Sequence, residues 1–422
     1  MSEFDKIIGY EMIKNELQRF ISVLKEPERY LKLGVKIPSG ILLCGTPGLG
    51  KTLMAKCFIA ETGCKAFTLR KEKPNGAFVD QIKETFENAK RASEGITIIF
   101  LDDMDKFANE DEQHRDAEEY VTIQSCIDDC KEEGVFVLAT VNDRNCLPDS
   151  LLRVGRFDKI IELEAPEGRD AELIIRHFLD QKQTVGNIDA EEIYRIMESN
   201  SCAELETAIN EAGIFAGYAG RDKIEQEDIL KACIMILAGS IEKTDRENLA
   251  DTKKIAIHEA GHAVVAEILQ PGCVSLVSLC RFTNGIEGFV RKKQSERQRF
   301  SKELLEYDVM SDLGGKAAIE MAYGIADVGC YKDIRKAYRT VERFVDDYCV
   351  LGFDTFTRNH EPSQYMLTKK DQLIAAELER YYQNAKRILL ENRAFFDAIV
   401  EALMEKKTLT WREVQKIRGR YL

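Results

Sequence analysis

Short apolar runs alternate with helix-like patterns through residues 1–166. The apolar runs are Ile41–Cys44, Ala66–Leu69, Ile96–Leu101, Val135–Thr140 and Lys159–Leu163. Because strands that are buried on both faces are apolar along their whole length, these runs predict β-strands of a parallel sheet. The helix-like segments between them would cover both faces of that sheet. Residues 1–166 are therefore expected to form an α/β domain.

The pattern changes at residues 164–168, a segment typical of a turn, and helical periodicity follows it. Leu173, Ile174 and His177 recur at helical spacing, which predicts a small all-helical domain over residues 167–240. Residues 241–422 show mostly long helical patterns, with one β-like stretch between Val274 and Val290. The chain is thus expected to contain three domains, of which the first is α/β and the other two are helical or mainly helical.

Composition and charge narrow the class of protein. The chain has 422 residues, 44% of them hydrophobic, and a net charge of −13. Such a chain has no general basic field, so nucleic acid is not expected to be a partner. No run reaches the ~18–20 apolar residues needed to cross a bilayer, so no membrane span is expected in this chain.

Twelve cysteines are scattered without paired spacings, and the first residues do not have the pattern expected of a signal peptide. Reduced thiols in the cytoplasm are therefore the expectation. The sequence leaves open whether a membrane anchor was removed upstream of residue 1. Cys126 and Cys130 lie four residues apart on a predicted helix, and we interpret them as packing residues.

A glycine-rich segment follows the first predicted strand and opens a helix. It fits the pattern G-x-x-x-x-G-K-[ST] at every fixed position and consists of Gly45, Thr46, Pro47, Gly48, Leu49, Gly50, Lys51 and Thr52. Glycines let backbone N–H groups close around phosphate, and the helix N-terminus adds a partial positive charge. Lys51 would reach the β- and γ-phosphates, and Thr52 would ligate Mg²⁺. The segment predicts binding of ATP with Mg²⁺.

Two carboxylates follow the apolar strand that ends at Leu101. Asp102 would bind Mg²⁺, mostly through water, and Asp103 would orient and polarise the water that attacks the γ-phosphate. Phosphoryl transfer also needs positive charge near that phosphate. Arg153 and Arg156 offer such charge, although their spacing alone is equally typical of surface arginines.

The segment His258-Glu259-Ala260-Gly261-His262 has the pattern H-E-x-x-H within a helical periodicity. Residues four apart lie one turn apart on the same helix face, so both imidazoles can bind one ion. Two histidines and a third protein ligand are typical of a catalytic zinc site, with Glu259 as general base. Spacing alone does not choose the third ligand among Asp327, Asp333 and Asp346.

Together these segments resemble the FtsH family of AAA+ zinc proteases, in the same order and over nearly the whole chain. The resemblance includes residues 32–40 before the phosphate loop, Gly-Arg-Phe-Asp at 155–158, residues 210–216, the H-E-x-x-H helix and residues 314–320. It implies an AAA+ parallel-sheet ATPase core (residues 1–166), a helical lid (167–240) and a mainly helical zinc metallopeptidase domain (241–422).

The resemblance also implies roles for single residues around ATP. Asn142 matches the polar sensor of the γ-phosphate, while Arg153 and Arg156 match arginine fingers that act on ATP in a neighbouring subunit. Such fingers imply a ring, which in this family is a homo-hexamer. The adenine pocket would be lined by the backbone of Ile8 and Gly9.

At the adenine side the family has a histidine, which His177 matches, although His177 also fits a helix core. In the peptidase domain, Asp333 matches the third zinc ligand. The alternative is that Asp333 is a solvated acidic residue on a helix.

The expected activity is ATP-driven unfolding and translocation of unfolded or misfolded proteins, followed by cleavage of their peptide bonds. A remodeller without peptidase activity and an ATP-insensitive metallopeptidase are the alternatives.

The chain departs from the family pattern at several points. Membrane-spanning helices usually precede the motor, and here Phe4 already belongs to it. Asp103 replaces a glutamate, which leads us to expect slower ATP hydrolysis, and Val154 replaces a proline with little expected effect.

The segment that would grip substrate in the pore also differs. Ala77-Phe78-Val79 is the best match from upstream, whereas counting back from Phe86 puts Pro74 at the aromatic position. We predict that Phe78 and Val79 contact substrate in the pore, and the alternative for Phe78 is a core position.

Overall fold

The computed structural model of the chain describes residues 2–72, 75–92, 95–108, 117–131, 133–240, 242–243, 248–293, 301–325, 328–352 and 363–422. These residues form two compact units. The first unit consists of Met1–Ala190 with Ser199–Asp228, and the second consists of Glu191–Glu198 with Ile229–Leu422. Each unit has its own buried core and is described separately below.

The first unit contains a five-stranded parallel sheet. Its strands are β1 (Gly40–Cys44), β2 (Lys65–Leu69), β3 (Thr97–Leu101), β4 (Val135–Val141) and β5 (Lys159–Glu162). They lie in the order β2-β3-β4-β1-β5, and every pairing is parallel. The prediction of a parallel sheet from five apolar runs is confirmed.

The central strands are apolar because both faces of the sheet are covered. Leu42 and Ile99 point into one buried cluster, whereas Ile41 and Phe100 point into another on the opposite face. All five residues of β1 and of β3 are buried. Helices pack on both faces, as expected for a parallel sheet.

Helices of the first unit connect these strands and continue after the sheet. They are α1 (Glu11–Lys25), α2 (Pro27–Leu31), α3 (Lys51–Thr62), α4 (Asn75–Arg91), α5 (Glu118–Asp129), α6 (Gly168–Leu179) and α8 (Cys202–Tyr218). Short 3-10 helices span Glu3–Lys6, Met104–Lys106 and Arg144–Cys146. Helix α7 (Ala190–Ile196) belongs to the second unit after its first residue, and α9 (Gln226–Ala238) belongs to it from Ile229 onward.

The second unit is mainly helical. Its further helices are α10 (Leu249–Leu269), α11 (Lys302–Tyr323), α12 (Tyr331–Asp346), α13 (Gln364–Glu391), α14 (Arg393–Lys406) and α15 (Trp411–Tyr421). The strands β6 (Val274–Ser278), β7 (Phe289–Lys292) and β8 (Thr408–Thr410) form an antiparallel sheet in the order β7-β6-β8. The β-like stretch in the sequence therefore contains two strands, and the third comes from far along the chain.

Helix α10 lies at the centre of the second unit. Its second half is buried on nearly every side, from Ala256 to Glu267, and small residues let neighbouring helices approach it closely. Among the helices that the structure describes, none combines the length and the apolar composition needed to cross a membrane.

Candidate functional site

Three donor atoms converge in the second unit. His258 and His262 lie one turn apart on α10, and Asp333 lies in the first turn of α12. The Asp333 Oδ2 atom is 3.2 Å from His258 Nε2 and 3.5 Å from His262 Nε2, and the two Nε2 atoms are 3.1 Å apart. Of the aspartates that spacing left open, Asp346 instead pairs with Lys370 at 2.5 Å, and Asp327 lies outside the described residues.

These distances fit a tetrahedral zinc ion. Nitrogen and oxygen ligands at ~2.0–2.1 Å from zinc in tetrahedral geometry lie roughly 3.3 Å from one another. The three separations of 3.1–3.5 Å lie around that value. Two imidazole nitrogens and one carboxylate oxygen are also the donor types that a catalytic zinc site uses. These three residues therefore fit the metal that the sequence predicts.

The other ring nitrogens orient both imidazoles. His262 Nδ1 donates a hydrogen bond to the Ser311 carbonyl oxygen at 2.7 Å, which leaves Nε2 as the unprotonated donor for a metal. Cys330 Sγ lies 3.9 Å from His258 Nδ1. Neither Ser311 nor Cys330 could be predicted from a local pattern, because each lies far along the chain from the histidine that it contacts.

Gly315 lets α11 approach the two histidines. A Cβ atom at this position would lie 2.5 Å from His258 Cε1 and 2.5 Å from His262 Nε2. Real Cβ contacts are not this short, so only glycine fits without moving an imidazole. The Gly-Gly pair at residues 314–315, which contributes to the family resemblance, thus has a packing reason beside the metal site.

The Glu259 carboxylate is buried next to this cluster. Burial raises the pKa of the Glu259 carboxyl group, and the neighbouring His262 and His258 partly oppose that shift. Burial acts in the same direction on Asp333, but hydrogen bonds with His258 and His262 outweigh it and lower the Asp333 pKa well below its usual range. Glu259 is therefore the stronger base of the two carboxylates, and Asp333 is the weaker one.

In the first unit, the phosphate loop connects β1 to α3. Gly45, Gly48 and Gly50 have φ angles of 142°, 82° and 86°, a range in which other residues are strained. The buried Lys51 side chain donates hydrogen bonds to the carbonyl oxygens of Gly45 at 2.6 Å and Thr46 at 2.8 Å. The loop thus has the backbone conformation and the position that the motif requires.

Asp102 is almost completely buried at the end of β3. Its Oδ1 atom accepts hydrogen bonds from Thr52 Oγ1 at 3.0 Å and Thr140 Oγ1 at 2.9 Å. Its Oδ2 atom accepts from the Arg70 guanidinium, with Nε at 3.0 Å and a terminal nitrogen closer still. The structure therefore brings Asp102 and Thr52 together, as expected for a shared Mg²⁺ ion.

Asp103 has a left-handed backbone with a φ angle of 55°. Its backbone N–H donates to Thr140 Oγ1 at 2.9 Å, and its carboxylate accepts from Lys106 Nζ at 2.8 Å. Asparagine and aspartate are the non-glycine residues that most readily adopt this conformation. The aspartate thus suits its backbone better than the family's glutamate would.

Asn142, which follows β4, is held by Asp105. The Asn142 side-chain amide donates to Asp105 Oδ2 at 2.9 Å, and its backbone N–H donates to Asp105 Oδ1 at 3.2 Å. Asp105 was not among the predicted site residues, although it lies only two residues after Asp103. Its position in the acidic segment was the available signal.

Arg153 and Arg156, which match arginine fingers, have different surroundings. Arg153 is exposed, as is its neighbour Val154. Arg156 is half-buried and donates to Asp128 Oδ1 at 3.2 Å, to Asp128 Oδ2 at 2.7 Å and to the Ser150 carbonyl oxygen. The hydrogen bond from Arg156 is the main reason why the Asp128 pKa is lowered to about 2.

The residues expected at the adenine side lie near the start of the chain and on α6. Ile8 is partly buried, and Gly9 has a φ angle of 69°. The Tyr10 N–H donates to Asp170 Oδ2 at 3.0 Å, which joins this segment to the first turn of α6. His177 lies about two turns later on α6 and is exposed. The alternative that His177 is a helix-core residue is therefore wrong.

The prediction of a pore loop at Phe78 and Val79 is wrong. Both residues lie within α4 and are buried, and Phe78 is 0% exposed. The Phe78 ring packs edge-to-face on Phe107, with their centroids 4.9 Å apart. A ring buried in this way cannot contact a passing polypeptide, so the core alternative holds. Pro74 lies outside the described residues.

Comparisons with known proteins agree with this architecture. The profile of the family "ATPase family associated with various cellular activities (AAA)" matches residues 41–165. The profile of "Peptidase family M41" matches residues 247–417. The fold and the two sites thus define a protein that joins an AAA-type ATPase to a metallopeptidase.

Similar proteins extend over nearly the whole chain. The "ATP-dependent zinc metalloprotease FtsH" of Pelobacter propionicus is 30% identical over 447 aligned residues, which cover 99% of this chain and 71% of that protein. Proteins of the same name from Thermus thermophilus and Leptotrichia buccalis are 27% and 29% identical. Each alignment covers 98% of this chain. It covers 70% of the Thermus thermophilus protein and 57% of the Leptotrichia buccalis protein. The chain belongs to the FtsH family of ATP-dependent zinc metalloproteases.

Proposed function

We propose that this chain is an ATP-dependent zinc metalloendopeptidase that unfolds and translocates polypeptides by ATP hydrolysis and cleaves them at its H-E-x-x-H site. The observation that carries the proposal is the convergence of His258, His262 and Asp333 at tetrahedral spacing beside Glu259. The family assignment and the phosphate loop support the coupling of this site to ATP.

In the peptidase site, His258, His262 and Asp333 would hold Zn²⁺. When bound, zinc supplies Lewis-acid activation of water and of the scissile carbonyl group. Glu259 takes the proton of the attacking water as the carbon–oxygen bond forms. It then delivers a proton to the leaving amine nitrogen as the carbon–nitrogen bond breaks.

In the ATPase site, the backbone of residues 45–52 and Lys51 would bind the β- and γ-phosphates. Thr52 and Asp102, whose side chains are hydrogen-bonded, would hold Mg²⁺. Asp103 would orient the attacking water, and Asn142, fixed by Asp105, would contact the γ-phosphate. Ile8, Gly9 and His177 would lie at the adenine side.

Oligomerisation is part of the proposal. Arg153 is exposed and would act on ATP bound by a neighbouring subunit, which requires a ring, here a homo-hexamer. Arg156 is paired within its own chain and would support that finger. Unfolded or misfolded proteins would be the substrates, and the net charge of −13 supports the exclusion of nucleic acid. The cytoplasmic location stays a prediction.

The division into three domains also stays a proposal. The two family profiles match within residues 1–166 and within residues 241–422. A helical lid over residues 167–240 would lie between them. This segment contributes to both compact units, because Glu191–Glu198 and the end of α9 are grouped with the second one.

Degradation of unfolded casein tests the proposed function. The unaltered chain should degrade casein only with ATP and Mg²⁺, and a zinc chelator should stop cleavage. Glu259→Gln should abolish cleavage but keep zinc and ATPase activity, whereas Lys51→Ala should abolish both ATP hydrolysis and casein degradation. Lys32→Ala, which removes an exposed lysine, is the control.

Two outcomes would contradict the proposal. Casein that is remodelled but never cut, with no effect of Glu259→Gln, would indicate a remodeller without peptidase activity. Casein degradation that persists in Lys51→Ala would indicate a peptidase that does not depend on ATP.

A further inference from the structure

Asp102 forms an ion pair with Arg70 of the same chain. The carboxylate is 1% exposed, and Arg70, which directly follows β2, donates two hydrogen bonds to its Oδ2 atom. The Arg70 side chain is 55% exposed. A buried carboxylate without a countercharge is costly, whereas an exposed guanidinium group loses little by turning into solvent. The ion pair is therefore essential for Asp102 but dispensable for Arg70.

The other oxygen of Asp102 faces the expected metal ligand Thr52. Thr52 Oγ1 lies 3.0 Å from Asp102 Oδ1, so a Mg²⁺ ion shared by these residues would lie within a few ångströms of the guanidinium group. Two cations at such a distance repel each other strongly beside a buried carboxylate. Arg70 and Mg²⁺ cannot both be held by Asp102 without loss of affinity.

Arg70 has open space into which it can move away from Asp102. Arg70, Glu72 and Asp102 line the same surface cleft, which has a volume of about 530 Å³. Glu72 is an exposed acidic residue of this cleft. The guanidinium group can therefore turn away from the buried carboxylate into an open cleft that also has an exposed acidic residue.

We propose that Arg70 is an internal counter-ion that competes with Mg²⁺ for Asp102 and so sets the Mg²⁺ concentration at which ATP binds. This inference rests on the proposed ATPase site and adds a regulatory element to it. Asp102 keeps one countercharge at all times, supplied by Arg70 or by the metal. Linkage then requires that anything that releases Arg70 from Asp102 tightens Mg²⁺ binding.

The Mg²⁺ dependence of ATP-analogue binding tests the proposal. A fluorescent ATP analogue is titrated with MgCl₂ in the full chain, at constant ionic strength and fixed Zn²⁺. Arg70→Ala should lower the Mg²⁺ concentration at half-maximal binding by about tenfold, the loss expected for a charge-assisted hydrogen bond. Arg70→Lys keeps the positive charge but loses the planar guanidinium group. Its Mg²⁺ midpoint should lie between those of the unaltered chain and Arg70→Ala.

A matched control and a second variant complete the design. Arg91→Ala removes another exposed arginine of the same unit, which pairs with the exposed Glu87, and it should leave the midpoint unchanged. If Arg70→Ala folds poorly without Mg²⁺, Arg70→Gln keeps hydrogen-bond donors without the charge and should show the same shift. Thermal unfolding should show a deficit in Arg70→Ala that Mg²⁺ with ADP removes.

Each other outcome has a defined meaning. An unchanged midpoint in both neutral variants would overturn the proposal. So would weaker analogue binding at saturating Mg²⁺, because Arg70 would then be a ligand of the nucleotide. Failure of the unaltered chain to bind the analogue at any Mg²⁺ concentration would instead contradict the proposed ATPase site.

Discussion

The backbones of Gly261 and Gly314 are in direct contact where α10 crosses α11. A Cβ atom on Gly261 would lie 2.4 Å from the Gly314 carbonyl oxygen, and one on Gly314 would lie 2.6 Å from the Gly261 carbonyl oxygen. His262 directly follows this contact on α10, and Ser311, which accepts its hydrogen bond, lies one turn before Gly314 on α11. The crossing thus fixes one imidazole of the proposed zinc site.

Alanine at either glycine should therefore disrupt the metal site. Gly261→Ala and Gly314→Ala are each expected to lower the free energy of unfolding by about 1–3 kcal/mol, because the helices must separate. Their zinc content should fall as Ser311 moves away from His262. Chemical unfolding and metal analysis of the purified variants measure both effects.

Gly419→Ala is the matched control for these two variants. Gly419 lies in α15 of the same unit, and nothing lies within 4 Å of an added Cβ atom. Alanine there should raise the free energy of unfolding by about 0.5–1 kcal/mol, as at an unhindered helix position. If all three variants kept full zinc occupancy and stability, the close crossing would not support the site.

The third zinc ligand gives the second prediction. Asp333→Ala should lose most bound zinc and all peptidase activity, because the Asp333 Oδ2 atom is the donor that faces both Nε2 atoms. Asp346→Ala is the control. Asp346 pairs with Lys370 and not with the histidines, so this variant should keep its bound zinc. ATPase activity should persist in both variants. Zinc retained in Asp333→Ala but lost in Asp346→Ala would reverse the assignment.

Part of the fold could be predicted from the sequence. The five parallel strands were predictable because strands buried on both faces are apolar throughout, as β1 and β3 are. The antiparallel sheet was only partly predictable, because β8 pairs with β6 across more than one hundred residues. Local patterns carry no information about such a partner.

The sites show the same limit. The phosphate loop and the H-E-x-x-H helix are local patterns, so spacing alone identified them. Asp333 is distant in sequence, and only the family resemblance distinguished it from Asp346. Arg70 and Asp128 act through pairing with distant residues and left no signal. The prediction for Phe78 failed because an apolar residue at the start of a helix and one in a pore loop look alike in sequence.

The different surroundings of the two arginines give the third prediction. Arg153→Ala should abolish most ATPase activity without changing stability, because its side chain is exposed. Arg156→Ala should lower the free energy of unfolding by about 1 kcal/mol, since it removes hydrogen bonds to the partly exposed Asp128. Asp128→Ala should reproduce this loss of stability. Equal stability of both arginine variants would contradict the distinction.

Asp103 gives the fourth prediction, which concerns the rate of ATP hydrolysis. Asp103→Glu should raise kcat for ATP about two- to tenfold with little change in KM, because the longer side chain carries the carboxylate closer to the attacking water. Its left-handed backbone favours aspartate, so a small loss of stability should accompany the gain. Asp103→Asn should lower kcat by about 100-fold. Steady-state ATPase assays measure kcat for each variant. A kcat of Asp103→Glu below that of the unaltered chain would contradict the prediction.

The buried position of Phe78 gives the fifth prediction. Phe78→Ala removes a fully buried ring that packs on Phe107, so the free energy of unfolding should fall by about 3–5 kcal/mol. Phe78→Met keeps most of the volume and should cost less than about 1.5 kcal/mol, with ATP-driven casein degradation nearly restored. A residue that grips substrate would behave differently, because Phe78→Ala would then keep its stability and its ATPase activity while casein degradation alone is lost. Unfolding curves measured beside both assays separate these outcomes.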